Sequence, residues 1–151
     1  MEIFENNIDH LPDFISLNEE WISKYFQLED VDTELSKNPH IVINDGGYIF
    51  SLVDENKVVG VCALFCDGNG VFELARMAVS YDYQGKGYGR KLIEACLVKL
   101  STILAKKVYV VSNTKLKPAI SLYKKYGFVT TFEGIHPIYS RANIVMEKNV
   151  I

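Results

Sequence analysis

The chain has 151 residues, 48% of them apolar and 23% charged, with a formal net charge of −3. That length and apolar content suit one domain spanning residues 1–151, which buries roughly two-thirds of its unfolded surface and leaves no room for a second. The mixed, slightly acidic charge excludes broad nucleic-acid binding and a polybasic membrane anchor, while leaving room for a local basic patch.

No apolar run is long enough to cross a bilayer, and Met1-Glu2-Ile3-Phe4-Glu5 lacks the basic start and apolar segment of a secretory signal, so a cytoplasmic location is expected. Cys62, Cys66 and Cys96 are odd in number, sit among apolar neighbours and form no Cys-x-x-Cys, which predicts buried free thiols. His10, His40 and His136 are scattered singly, and no metal site is expected.

Taken in order, Ile3 to Ile8 reads as a short first strand, broken by Asp9-His10-Leu11-Pro12 before a helix from about Asp13 to Phe26. Phe14, Leu17, Trp21, Ile22, Tyr25 and Phe26 give that helix a broad apolar face. Leu28 to Lys37 predicts a second short helix, ended by Asn38-Pro39. After the turn Asn44-Asp45-Gly46-Gly47, the runs Tyr48–Val53 and Val58–Phe65 flank Asp54-Glu55-Asn56-Lys57 as an antiparallel hairpin. Asp67-Gly68-Asn69-Gly70 then turns the chain into Val71–Val79, an apolar strand carrying one carboxylate, Glu73, and one guanidinium, Arg76.

A polar turn leads into Gln84-Gly85-Lys86-Gly87-Tyr88-Gly89-Arg90, after which Ile93, Leu97, Leu100 and Leu104 recur at helical spacing. The order strand, glycine loop, helix creates an anion site. The first helical turn leaves N–H groups unpartnered at the positive end of the macrodipole, and glycines allow close backbone approach to a phosphate. Lys107–Val111 is a β-branched run that pairs parallel to the central strand, because a helix separates the two. Pro118 opens a last short helix with Leu122 facing inward, and Gly127 ends it. Phe128–Phe132 and Asn143–Lys148 are the final strands, joined by a long connection suited to a substrate loop.

The loop matches neither a P-loop nor a Rossmann fingerprint. Gln84, Gly87 and Gly89 resemble instead the signature Gln/Arg-x-x-Gly-x-Gly/Ala of the GCN5-related N-acetyltransferase (GNAT) family. Asn113 with Ala119-Ile120-Ser121-Leu122-Tyr123-Lys124-Lys125-Tyr126-Gly127-Phe128 resembles its second signature, Asn followed by Ala-x-x-Leu-Tyr-x-Lys-x-Gly-Phe, although Tyr126 stands where an aliphatic residue is usual. The resemblance covers nearly the whole chain. It implies an α/β (α+β) fold whose mixed, mostly antiparallel sheet has about six to seven strands flanked by about four helices, with the central strands splayed around the coenzyme.

It also implies an acetyl-CoA co-substrate held by Met77, Ala78 and Val79 of the strand, by Gln84, Gly85, Lys86, Gly87, Tyr88, Gly89 and Arg90 of the loop, and by Asn113. By the same resemblance Tyr123 is the general acid at the coenzyme sulfur and Glu73 the general base for the amine. On helical periodicity alone Tyr123 reads rather as a core tyrosine, and Glu73 reads equally as half of an ion pair with Arg76 or with a residue on the neighbouring strand. Trp21 and Tyr25, four apart on the first helix, with Tyr139 and Arg141 ahead of the last strand, are candidates for an aromatic acceptor pocket with one cation for a carboxylate. No cysteine stands as an acyl carrier, so direct transfer in a ternary complex is expected.

The reading is therefore an acetyl-CoA-dependent N-acetyltransferase for a small-molecule amine, with protein or peptide acetylation and a non-catalytic acetyl-CoA sensor as alternatives. The resemblance also admits a homodimer.

Overall fold

The computed structural model describes residues 1–150. Its centre is a seven-stranded sheet in the order β1-β2-β3-β4-β5-β7-β6. The strands are β1 (Glu2–Glu5), β2 (Tyr48–Asp54), β3 (Lys57–Gly68), β4 (Val71–Val79), β5 (Lys107–Ser112), β6 (Val129–Glu133) and β7 (Ile144–Asn149). The helices are α1 (Leu11–Tyr25), α2 (Asp30–Lys37), α3 (His40–Asn44), α4 (Tyr88–Thr102) and α5 (Lys117–Lys125). All pairings are antiparallel except β4 with β5, as expected for two strands joined through a helix.

The near-continuous apolar run of β3 is explained by burial on both faces. Cys62 and Leu64 join a core with Leu92, Ile93, Cys96 and Leu100 of α4, while Val61 and Ala63 point the other way, onto Leu11 and Phe14 of α1 and Val42 of α3. The sheet is thus covered by α4 and α5 on one side and by α1 and α3 on the other. Cys62 and Cys96 are fully buried free thiols and Cys66 is half-buried.

Five details depart from the sequence expectations. The first strand stops at Glu5 because Asn6 turns left-handed (φ 53°) and spends its side-chain oxygen on the Ile49 amide at 2.8 Å. Pro12 sits in the first turn of α1 instead of before it, where its missing N–H costs nothing. Pro39 does not simply end α2 but caps the short extra helix α3, bringing the helices to five where about four were expected. Leu104 lies past the end of α4, left-handed (φ 58°) and 72% exposed, so the buried stripe ends at Leu100. In α5 the buried side chain is Tyr123, with Leu122 half-buried beside it.

Two irregularities in β4 shape the site. Ala75 pairs with Ala63 and Ala78 with Val61, so β4 carries one residue more than β3 over this stretch. Arg76 within it is left-handed (φ 58°), a β-bulge geometry that re-aims its side chain. On its other edge β4 pairs with β5 only from Val71 to Glu73, opposite Lys107 to Tyr109. Beyond Glu73 the strands part, and β5 continues on β7.

Candidate active site

The parting of β4 and β5 opens a cavity of about 170 Å³. β4 contributes Glu73 through Met77 to its wall, the end of β5 contributes Val111 through Asn113, and α5 contributes Ala119 and Tyr123. Trp21 and Phe26, at the end of α1, close one side, and Tyr139, Arg141 and Ala142 of the β6–β7 connection close another.

The glycine loop lies next to this opening. Gln84 donates from Nε2 to the Val79 carbonyl at 3.1 Å, tying the loop to the end of β4. Gly85 (φ 81°) and Gly87 (φ 80°) are both left-handed, and Gly87 caps α4 with no side chain bonding the first-turn amides. A Cβ at Gly85 would meet nothing within 4 Å, and one at Gly87 only the Arg90 guanidinium at 3.9 Å. Backbone conformation, not crowding, therefore selects glycine here. Gly89 faces the Met77 thioether at 4.0 Å. The Tyr88 hydroxyl donates to Asp54, its ring stacks 6.4 Å from Tyr83, and the Lys86 ammonium stands 4.9 Å from the Tyr83 ring. Arg90 is exposed, while Ala78 is buried against the α1 side of the sheet.

Asn113 is occupied by the protein: Nδ2 donates to the Arg141 carbonyl at 2.8 Å and Oδ1 accepts from the Lys115 amide at 3.0 Å. It fixes the end of β5 to the β6–β7 connection.

Glu73 is 8% exposed and lines the cavity, with no hydrogen bond or ion pair to its carboxylate among the described residues. Burial, reinforced by the charge of nearby Asp67, pushes its carboxyl up to about 7. The ion pair with Arg76 that the residues alone allowed is not formed, because Arg76 belongs to another network. Its guanidinium donates to Asp32, which also receives two bonds from Arg141 at 2.7 and 2.9 Å. Glu29 takes a further bond from Arg141 at 2.8 Å. Burial works against the charge on Asp32, yet the bonds from Arg141, the Glu29 amide and Arg76 hold its carboxyl below the ordinary value. The Tyr139 ring stands 5.9 Å from the Arg76 guanidinium and 5.5 Å from that of Arg141. Two positive and two negative groups thus close on one another, and Arg141 lines the cavity with its charge already matched.

Tyr123 is buried at the base of the cavity, its ring 5.7 Å from Phe128, and no protein hydrogen bond engages its hydroxyl among the described residues. Burial, with the Cys62 and Cys96 thiols nearby, raises its pKa and keeps the proton on oxygen. Of the four acceptor candidates, Trp21, Tyr139 and Arg141 meet at the cavity. Tyr25 does not; it is 43% exposed, with its ring 5.6 Å from Trp21.

The hub Asp32 escaped the sequence reading. Its local signal was legible, since Glu29 and Asp32 form a capping box at the start of α2. Its two arginine partners lie 44 and 109 residues away, a pairing only the fold creates.

An acetyltransferase (GNAT) domain profile matches residues 45–130, more than half of the chain, and the protein belongs to the GNAT family. It is accordingly an acetyltransferase with acetyl-CoA as donor. Among solved structures it is similar to a GNAT acetyltransferase of Staphylococcus aureus Mu50, at 19% identity and TM-score 0.87 over 99% of each chain. It is similar as well to a spermidine N-acetyltransferase chimera from Vibrio cholerae and hSSAT, at 24% identity and TM-score 0.74 over 99% of this chain and 97% of that one. A third is the phosphinothricin acetyltransferase of Sinorhizobium meliloti in complex with acetyl-CoA, at 14% identity and TM-score 0.80 over 98% and 87%. At these identities the likeness establishes the fold. No curated protein matches by sequence.

Two outcomes are expected. Asp32→Ala should cost about 3–5 kcal/mol in chemical denaturation, because it strands two partly buried guanidinium groups. The Glu73 carboxyl, raised in the fold from 4.5 to about 7, favours the folded state while protonated; that stability is present below about 4.5 and lost as pH rises through about 7. Glu73→Gln should thus match the wild type near pH 4 and exceed it by up to about 3 kcal/mol at pH 8, read from paired melting curves.

Proposed function

We propose that this protein acetylates the primary amine of a small molecule by direct transfer in a ternary complex, with Glu73 as base and Tyr123 serving the departing sulfur. The observation that carries the reading is the meeting of an unpaired buried carboxylate and an unengaged tyrosine hydroxyl in one cavity, where β4 leaves β5. The small acceptor is favoured by the cavity's volume, about 170 Å³, and by the ion pairs that hold Arg141 of the β6–β7 connection against α2, where a peptide would need a longer open groove.

The coenzyme side suits acetyl-CoA. Open amides at the start of α4 and left-handed glycines suit a diphosphate, with Lys86 and Arg90 close by. The free edge of β4 at Met77 to Val79 offers backbone groups to an extended amide-bearing arm. Asn113, engaged with Arg141 and Lys115, supports that arm by holding the splayed end of β5. When bound, acetyl-CoA supplies the activated acetyl thioester.

The chain's own residues handle the protons. An alkylammonium near pKa 10.4 gives its proton to a carboxylate near 7 at a cost of about 4–5 kcal/mol in water, and desolvation in the apolar cavity lowers that cost by disfavouring the ammonium. Glu73, raised by burial, is a far better base here than a carboxylate at its ordinary value. Tyr123, its pKa raised, keeps its proton on oxygen and directs it at the sulfur as a hydrogen bond that strengthens as negative charge develops there.

Tyr123→Phe should lower kcat by roughly 10²-fold with the acetyl-CoA Kd nearly unchanged, by thiol-release assay and calorimetry on one sample. Unchanged turnover removes the role given to Tyr123. Gly87→Val forces a β-branched residue into left-handed backbone at about 1–2 kcal/mol and places methyls where the diphosphate would lie. It should weaken acetyl-CoA binding by at least roughly tenfold, and normal binding would refute the loop assignment.

A further inference from the structure

The proposal below rests on Glu73 being the base, for then whatever sets its affinity for protons sets the working pH. Glu73 stands at the fork of the sheet, the last β4 residue paired with β5, directly opposite Tyr109. Residues in register on neighbouring strands share a face, so the two side chains lie side by side. The Tyr109 hydroxyl donates to Asp67 on β3 at 2.5 Å. Because β4 lies between β3 and β5, this bond spans the strand that carries Glu73 at the point where the sheet opens.

Most charges around Glu73 are already spent. Arg76 on its own strand and Arg141 of the β6–β7 connection are both held by Asp32 of α2. Tyr139 of that connection and Tyr123 of α5 bring phenols whose pKa values burial raises, so both stay neutral. From α1 come Asn18 and Trp21, which carry no charge. On β7, Glu147 stands opposite Tyr109 but is paired with Lys107 at 3.1 Å. Asp67 remains. It makes no ion pair among the described residues, and after burial itself it is the group that raises the Glu73 carboxyl, while Arg76 lowers it. Asp67 is exposed, and a free side chain there would relieve the repulsion by swinging into water. The bond from Tyr109 prevents that.

We infer that Tyr109 and Asp67 are a positioning pair for the base: the phenol holds the Asp67 carboxylate beside Glu73, and the fixed negative charge strengthens Glu73 as a proton acceptor. Neither side chain lines the cavity, so neither touches the reacting groups. A buried carboxylate gains basicity from desolvation, and a like charge at its open edge adds to that gain. It does so without supplying a cation or donor that would stabilise the ionised form.

The test is a carbon-13 titration of the Glu73 side-chain carboxyl in the free protein, the signal being assigned by its loss in Glu73→Gln. The wild-type midpoint is expected at about 7. Asp67→Asn should lower it by roughly half a pH unit or more. Tyr109→Phe should move it the same way by less, and the double variant should match Asp67→Asn alone, because Tyr109 acts through Asp67. Thiol release should carry the same signature: Asp67→Asn falls below the wild type at about pH 8, where the base is weaker, and overtakes it at about pH 5.5, where more of that base is ionised. Damage to the fold would lower both. An unmoved midpoint in Asp67→Asn overturns the inference, and a double variant well below Asp67→Asn overturns the part given to Tyr109. Both results leave Glu73 as base. Thiol release unchanged in Glu73→Gln removes the base reading instead, whatever the midpoints are.

Discussion

A parallel strand pair that stops after three residues is the constraint on which the rest of this molecule depends. β4 and β5 bond at Val71–Glu73 and Lys107–Tyr109, then separate. A sheet ordinarily satisfies its backbone groups strand against strand, so an interior strand with one free edge is an invitation to a ligand that hydrogen-bonds like a strand. The gap also fixes the lining of the cavity. Glu73 sits at the last paired position, Tyr123 lines the cavity from α5, and the loop after β4 is tied to the end of that strand through Gln84.

The bulge at Arg76 couples this opening to its roof. An extra residue in left-handed backbone turns the guanidinium toward α2, where Asp32 collects it together with Arg141. Three distant segments, β4, α2 and the β6–β7 connection, are thereby locked around Tyr139. The network is neutral as a whole, and it leaves Glu73 without an ion pair of its own, while Asp67 raises and Arg76 lowers its carboxyl from nearby. Had Arg76 paired with Glu73, the carboxylate would be held ionised at its ordinary value or below and would be a poorer base. One ion pair chosen over another thus sets both the shape of the roof and the basicity beneath it.

The glycine loop and the second signature were legible in the chain because they are local. Gly85 and Gly87 announce left-handed backbone, Gln84 lies close enough in sequence to reach Val79, and Pro118 and Gly127 bracket α5. β2, β3 and β4 followed their apolar runs to within a few residues. Errors fell where one local signal has two outcomes. Pro12 and Pro39 both open helices, and Leu104 continues the helical period beyond the point where the chain turns away.

What the sequence alone determined, then, was the strand–loop–helix unit and the family signatures, since their physics acts over a few neighbouring residues. The tertiary structure decided everything that depends on charge partners far apart in the chain. It gave Arg76 and Arg141 to Asp32, committed Asn113 to the Arg141 carbonyl, placed Tyr25 outside the cavity and left Glu73 unpaired. An arginine near a glutamate in sequence competes for every carboxylate the fold brings within reach, and a left-handed residue at the bulge was enough to settle the competition.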